Sequence, residues 1–151
     1  MRILICSYSP MLHASYSVIV RELWSRLSKT GEFEIFQHAW FNFNSLGAVS
    51  WKVFPTNQGV RPDGKFGLLE DDKYGEKSFE EILKVVKPDI VWNLSDIYMS
   101  RYLDKYKRKY SFKLVRWTLT EGEPIDRDNL PAIVSAEKTV AITRYAAQKW
   151  G

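Results

Sequence analysis

What this sequence lacks narrows it first. Its 151 residues include one cysteine, Cys6. A lone cysteine closes no intramolecular disulfide and builds no zinc site. Cys6 lies inside an apolar run, so it is expected as a small buried core residue rather than a nucleophile. The shortage is compatible with a reducing compartment. Histidine is nearly as scarce, with only His13 and His38, and no His/Cys/Asp cluster has metal-ligand spacing. No metal and no cofactor are therefore expected. No apolar run approaches the ~20 residues that a membrane-spanning helix needs. The chain enters a strand pattern at once, so no secretory signal is expected.

Signature motifs are missing as well. There is no G-x-S-x-G, no phosphate-binding P-loop and no G-x-G-x-x-G. Hydrolase, P-loop NTPase and dinucleotide dehydrogenase are poor fits on that ground. The stretch "SYSPMLHASYSV", Ser7 to Val18, sits where a glycine-rich phosphate loop would join a first strand to a first helix, yet it holds no glycine.

The composition itself is that of a globular domain, 45% apolar and 26% charged, with room for one core. Aromatics reach 15%, and part of that excess is expected on the surface, against ligands or partners. The net charge of +4 suits phosphate, anionic lipid or nucleic acid without selecting among them.

Residues 2–7 form a short continuous apolar run, the mark of a buried parallel strand. A helix is expected over 17–29, capped by Ser15 or Ser17, with Val18, Val20 (less cleanly), Leu23, Trp24 and Leu27 as its stripe. Strands are expected over 34–40 and 50–54, then a long loop over 55–77. A helix over 79–86 carries a capping box, Ser78 and Glu81. Then follow a strand (89–94), a helix (98–109), a strand (112–119), a short helix (129–136), a strand (139–142) and a last helix from 145. Strands alternating with helices predict an α/β fold, a mainly parallel sheet covered on both faces. The pattern stops inside a helix at Gly151, as expected of one half of a larger architecture.

In such sheets ligands bind beyond the carboxyl ends of the strands. That rule selects the segment from Ser9 to Ser17, the run Ser95-Asp96-Ile97-Tyr98, the turn Glu121-Gly122-Glu123-Pro124, and Thr143-Arg144. Asp96 either caps its helix or takes a hydrogen bond or proton from a substrate hydroxyl. Glu121 and Glu123 are either a solvated turn or a recognition pair for a polyhydroxy or cationic group. His13 is either a plain loop residue, or a donor to an anion or a base. His38, in the second strand, is expected to be structural.

Four segments, in order, resemble one known family. "MRILICSYSP" with "SYSVIVRELWSRLSKTGEFEIF" is similar to the opening strand, loop and helix of group 1 (family 4) retaining glycosyltransferases. "KPDIVWNLSDIYM" resembles their strand and Gly-Asp-x-Trp-Met-like turn, and "VRWTLTEGEPI" the strand with the acidic turn that follows. "AEKTVAITRYAAQKWG" resembles the segment that closes their N-terminal domain. The likeness implies a three-layer Rossmann-like domain, residues 1–151, forming the acceptor-binding half of a GT-B architecture. The donor-binding domain, which holds the nucleotide sugar, would lie outside this chain. It implies metal-independent transfer of a hexose, with retention, to an acceptor lined by Ser9, His13, Ser15, Asp96, Ile97, Glu121 and Glu123, with Asp96 catalytic. This chain alone would then be inactive. Two departures matter. The opening loop lacks the family's glycines, and Trp92 and Leu94 stand where histidines often occur.

The alternative is a stand-alone flavodoxin-like binding or interaction domain without catalysis. The stretch from Tyr102 to Phe112 interleaves basic and aromatic residues, which suits peripheral contact with an anionic membrane surface. A cytoplasmic location, peripheral at the inner membrane face, is the matching expectation. No nucleic-acid motif accompanies the charge, so no nucleic-acid partner is expected.

Overall fold

Residues 3–7 are buried without interruption, and they alternate between two cores. Leu4 and Cys6 enter one cluster with Trp40, Phe79, Leu83, Val91 and Leu103. Ile3 and Ile5 enter another with Val20, Trp24, Ile35, Trp92 and Leu94. Successive side chains of a strand point to opposite faces, so this first strand is buried on both sides. The rest of the fold is built outward from it.

The structure, a computed structural model, describes residues 1–41, 49–56, 58–60, 62, 64–118 and 127–150. The elements are β1 (Arg2–Tyr8), α1 (Ser15–Ser28), β2 (Glu34–Trp40), β3 (Lys52–Pro55), β4 (Gln58–Val60), β5 (Phe66–Leu68), α2 (Glu76–Val86) and β6 (Ile90–Leu94). They continue with α3 (Ile97–Ser100), α4 (Tyr102–Lys109), β7 (Lys113–Thr118), α5 (Leu130–Ser135), β8 (Lys138–Ala141) and α6 (Arg144–Trp150). Six strands form one sheet, in the order β3-β2-β1-β6-β7-β8, and every pair is parallel. Helix α1 packs in the core with Ile3 and Ile5; α2 and α4 pack in the core with Leu4 and Cys6. The fold is therefore the three-layer Rossmann-like α/β arrangement, with helices on both faces.

Several local expectations change. Helix α1 begins at Ser15 with Ala14 at its N-cap and no side-chain cap, and of its expected stripe Val20 is buried while Val18 is exposed. The segment 55–77 holds the antiparallel hairpin β4–β5 and a 3₁₀ turn, Glu70–Asp72, so it is not a plain loop. Pro55 ends β3, the edge strand, where the missing N–H breaks no ladder. Few of the described aromatics reach the surface. Tyr98 and Tyr145 are the exposed ones among the described residues, because most of the excess fills the two cores.

The capping box at Ser78 does not form. Helix α2 starts earlier, behind Gly75. Its free amides are met by Asp72, whose Oδ1 accepts from Lys77 N at 2.7 Å and Ser78 N at 3.4 Å. Ser78 Oγ instead lies 3.1 Å from His38 Nε2. The helix expected over 98–109 is divided at Arg101 into α3 and α4. The Ser100 carbonyl accepts from Arg116 Nη2 at 3.2 Å, while Asp104 N turns to the Arg101 carbonyl at 3.2 Å. A buried guanidinium has taken the acceptor that a continuous helix would use.

His38 is structural, as its strand position suggests, and fully buried. Burial draws its pKa from 6.5 down to about 4, against the opposing pull of Asp72. The unfolded chain takes up this proton near pH 6.5, and the fold only near pH 4. The group's contribution is thus complete above about pH 6.5 and declines as pH falls toward 4, by roughly 3 kcal/mol. Urea midpoints measured at pH 7.5 and 4.5 should differ more in the wild type than in His38→Gln. Equal differences would show that another group governs the acid limb.

Candidate functional site

The chain leaves β1 toward β2 and β3 on one side and returns through β6 toward β7 and β8 on the other. This reversal opens a crevice at the carboxyl ends of β1 and β6, the usual ligand position in such sheets. Tyr8 ends β1 and Asp96 follows β6. Across the gap, Tyr16 in the first turn of α1 donates its hydroxyl to Asp96 Oδ1 at 2.7 Å. Asp96 occupies the N-cap of α3 but makes no side-chain cap bond. Its carboxylate is tied to the opposite wall of the crevice instead of to its own helix.

A chain of aromatic rings borders this carboxylate. Tyr16 meets Tyr8 edge-on at 5.3 Å, Tyr8 meets Phe41 at 5.1 Å, Phe41 meets Tyr74 at 5.7 Å, and Tyr74 meets Tyr98 at 6.1 Å. These contacts join the ends of β1 and β2, the turn before α2, and α3. Phe41 is held at φ 55, a left-handed conformation that bulky residues avoid. Tyr98 is 54% exposed, the open end of the row. Its hydroxyl is pushed up to about 12 by partial desolvation, then by Tyr74 and Asp96. Desolvation, Asp96 and Tyr74 raise the Tyr8 phenol likewise. Both phenols stay protonated at neutral pH and serve as donors. A cavity of about 180 Å³ adjoins the row, lined in part by Asp72, Tyr74, Tyr98, Met99 and Arg101.

Beneath the crevice runs a buried polar network that no sequence pattern announced. Arg116 is fully buried on β7. It donates to Ser100 Oγ at 2.7 Å, Asn93 Oδ1 at 3.3 Å and Asp104 Oδ1 at 3.0 Å. Asn93 Nδ2 donates to the Cys6 carbonyl at 2.9 Å and to Ser95 Oγ at 3.1 Å. Ser95 Oγ donates to the Asp96 carbonyl at 3.0 Å. The turn that carries Asp96 is thereby held from below.

The expected site residues fall in different places. Asp96 lies in the crevice, half-buried, and Ile97 beside it is buried in α3. Ser9 is buried, its Oγ accepting from Met11 N at 3.3 Å within the loop. His13 and Ser15 are exposed, the second as the first residue of α1. Glu121 and Glu123 lie outside the described residues. Burial raises the Cys6 thiol far above its ordinary range, so this cysteine is inert. Among the described residues no group of three or more His, Cys, Asp or Glu side chains is placed to hold a metal. Tyr16 and Tyr98 fall inside the selected segments 9–17 and 95–98, where no role is assigned to them, whereas Tyr8, Phe41 and Tyr74 lie outside every selected segment. The one available signal was the pair of "SYS" triplets that bracket the first loop.

Arg21 also shapes that loop, bonding the Pro10 and Leu12 carbonyls, the second at 3.3 Å. The loop is therefore closed on its own backbone, not open as an anion cradle. In the stretch from Tyr102 to Phe112 the aromatics Tyr102, Tyr106 and Phe112 are buried, leaving mainly lysine and arginine outside. No helix among the described residues is long and apolar enough to cross a membrane. Comparison with protein-family models and with curated proteins finds no match to this sequence.

Proposed function

We propose that this chain is the acceptor-binding half of a retaining GT-B glycosyltransferase, which moves a hexose from a nucleotide sugar to an acceptor hydroxyl. The observation that carries it is Asp96, a carboxylate at the switch point of the sheet, bordered by tyrosine hydroxyls and aromatic faces. A sugar or other hydroxylated ring suits this combination. Its C–H face stacks on an aromatic, and its hydroxyl donates to the carboxylate. The four family-like segments in their usual order support the same reading.

In this scheme Asp96 accepts the hydrogen bond of the attacking hydroxyl and orients it. Tyr16 holds the carboxylate in place, and Tyr98 lies at the entrance. Positioning and stabilisation of the leaving diphosphate supply the rate, the second by groups of the donor domain. This chain alone transfers no sugar.

A panel of methyl and aryl glycosides, followed by saturation-transfer NMR on the purified chain, tests the proposal. At least one glycoside should bind, and Asp96→Asn should weaken it about 10- to 100-fold, the weight of a hydrogen bond to a charged group. Tyr16→Phe, which removes only the hydroxyl that positions Asp96, should weaken it less. Binding that is indifferent to Asp96→Asn, or sugar transfer by this chain alone, would overturn the assignment.

A further inference from the structure

The opposite end of the strands carries a second concave surface. Two adjoining cavities, of about 440 and 770 Å³, open near the amino ends of β6 and β7. Both lie in the size range of small-molecule sites. They share a wall formed by Asp89, Tyr110, Ser111 and Phe112. The wall is braced. Tyr110 donates its hydroxyl to Glu80 Oε1 at 2.7 Å, Lys113 N bonds the Asp89 carbonyl at 3.0 Å, and Asp89 Oδ2 accepts from Arg2 N at 2.7 Å.

Charge here is one-sided. Among the described residues Asp89 is the single carboxylate that lines either cavity, against six cationic side chains. Three of those cations are paired: Lys84 with Glu81 at 2.6 Å, Lys107 with Glu137 at 2.8 Å, and Lys109 with Glu80 at 2.5 Å. Lys87, Arg108 and Lys113 have no carboxylate partner among the described residues. Lys87 also ends α2 in a left-handed conformation, φ 47, where glycine is the usual occupant. The smaller cavity adds an apolar floor from Leu83, Pro88 and Phe112. A solvated basic helix end explains the charges of α4 alone, by the helix dipole. It does not explain two concave volumes with unbalanced cations on three separate elements beside an apolar floor.

We propose that these paired cavities bind a small organic phosphate. The phosphate sits at Arg108 and Lys113 in the larger cavity, and the apolar body crosses the Ser111–Phe112 wall onto Leu83 and Pro88. Arginine and lysine on separate elements suit a multiply charged tetrahedral anion, approached from several sides, better than a lone carboxylate. The site is independent of the transferase assignment, since it lies at the other end of the strands.

Titration of the purified chain with hexyl phosphate, inorganic phosphate and hexanol, followed by amide NMR shifts at 0.1 M salt, tests this. Hexyl phosphate should shift Tyr110, Ser111 and Lys113 and bind at least about 10-fold more tightly than either fragment. Arg108→Gln/Lys113→Gln should weaken it at least about 10-fold. Lys29→Gln, which removes a charge at the end of α1, should leave it unchanged. Both altered positions are exposed, so the variants fold. Shifts centred elsewhere, hexyl phosphate no tighter than hexanol, or an equal loss in Lys29→Gln would overturn the proposal. A lipid headgroup and a free phosphoester present the same chemistry, and co-sedimentation separates them. Binding to phosphatidic acid vesicles but not phosphatidylcholine, lost in the double variant, assigns the lipid. Hexyl phosphate binding without sedimentation assigns the soluble ester.

Discussion

Gly75→Ala is expected to lower the stability of this chain by about 2–5 kcal/mol, a large share of the ~5–15 kcal/mol that holds an ordinary domain folded. Two separate penalties add. Gly75 sits at φ 76, a left-handed conformation that costs a residue with a Cβ about 1–2 kcal/mol. A methyl there would also lie 2.1 Å from His38 Cε1 and 2.5 Å from its Nε2. The imidazole has little freedom to retreat, since it is fully buried and stacks on Phe79 with ring centres 6.0 Å apart. Overpacking of that kind costs about 1–3 kcal/mol. Gly31→Ala provides the control. Gly31 has a similar φ of 72 but nothing within 4 Å of its added methyl. Urea unfolding should show a loss of about 1–2 kcal/mol at Gly31 and a further loss of about 1–3 kcal/mol at Gly75. Adding His38→Ala to Gly75→Ala should recover much of the difference. Equal losses at the two glycines would mean that the ring yields freely.

Arg116→Met should be comparably damaging, by about 3–5 kcal/mol, because it strips the charge partner from a pair withdrawn from water. The guanidinium is wholly buried, and the side chain of Asp104 is only 16% exposed. Removing Arg116 leaves the Ser100 carbonyl and one Asp104 contact unmet. Asp104 keeps Ser135 as a donor, which limits the damage on that side. Arg116→Met/Asp104→Leu should be less destabilised than Arg116→Met alone, since a hydrophobic pair strands no charge. A loss under about 1 kcal/mol in the single variant would show that the network contributes little. The same network reaches the Asp96 turn through Asn93 and Ser95. Under the proposed function, Arg116→Met should therefore also weaken glycoside binding in whatever fraction stays folded, without touching the ligand.

The layers of the fold were legible because their signal is local. A strand buried on both faces must be apolar throughout, and residues 2–7 and 89–94 are nearly so. Alternation with amphipathic helices then implies a parallel sheet, since parallel strands need crossovers. Segment ends were less legible. Ser78 and Glu81 have the spacing of a capping box, yet Asp72, supplied by a 3₁₀ turn, meets the helix amides first. The break at Arg101 leaves no trace in the local pattern, because its cause is an arginine on another strand.

By itself the sequence determined the α/β class, the burial of Cys6, the structural place of His38 and the choice of Asp96 as the carboxylate beyond the β6 strand. Each follows from residue type and short-range period. Only the tertiary structure decided what Asp96 faces. Its partner Tyr16 lies 80 residues away, and Tyr8, Phe41, Tyr74 and Tyr98 come from the end of β1, the residue after β2, the turn before α2, and α3. Nothing in local spacing links these positions. The order of strands brings them to one end of the sheet, and that order is set by long-range pairing of β1 with β6, not by any property of the segments alone.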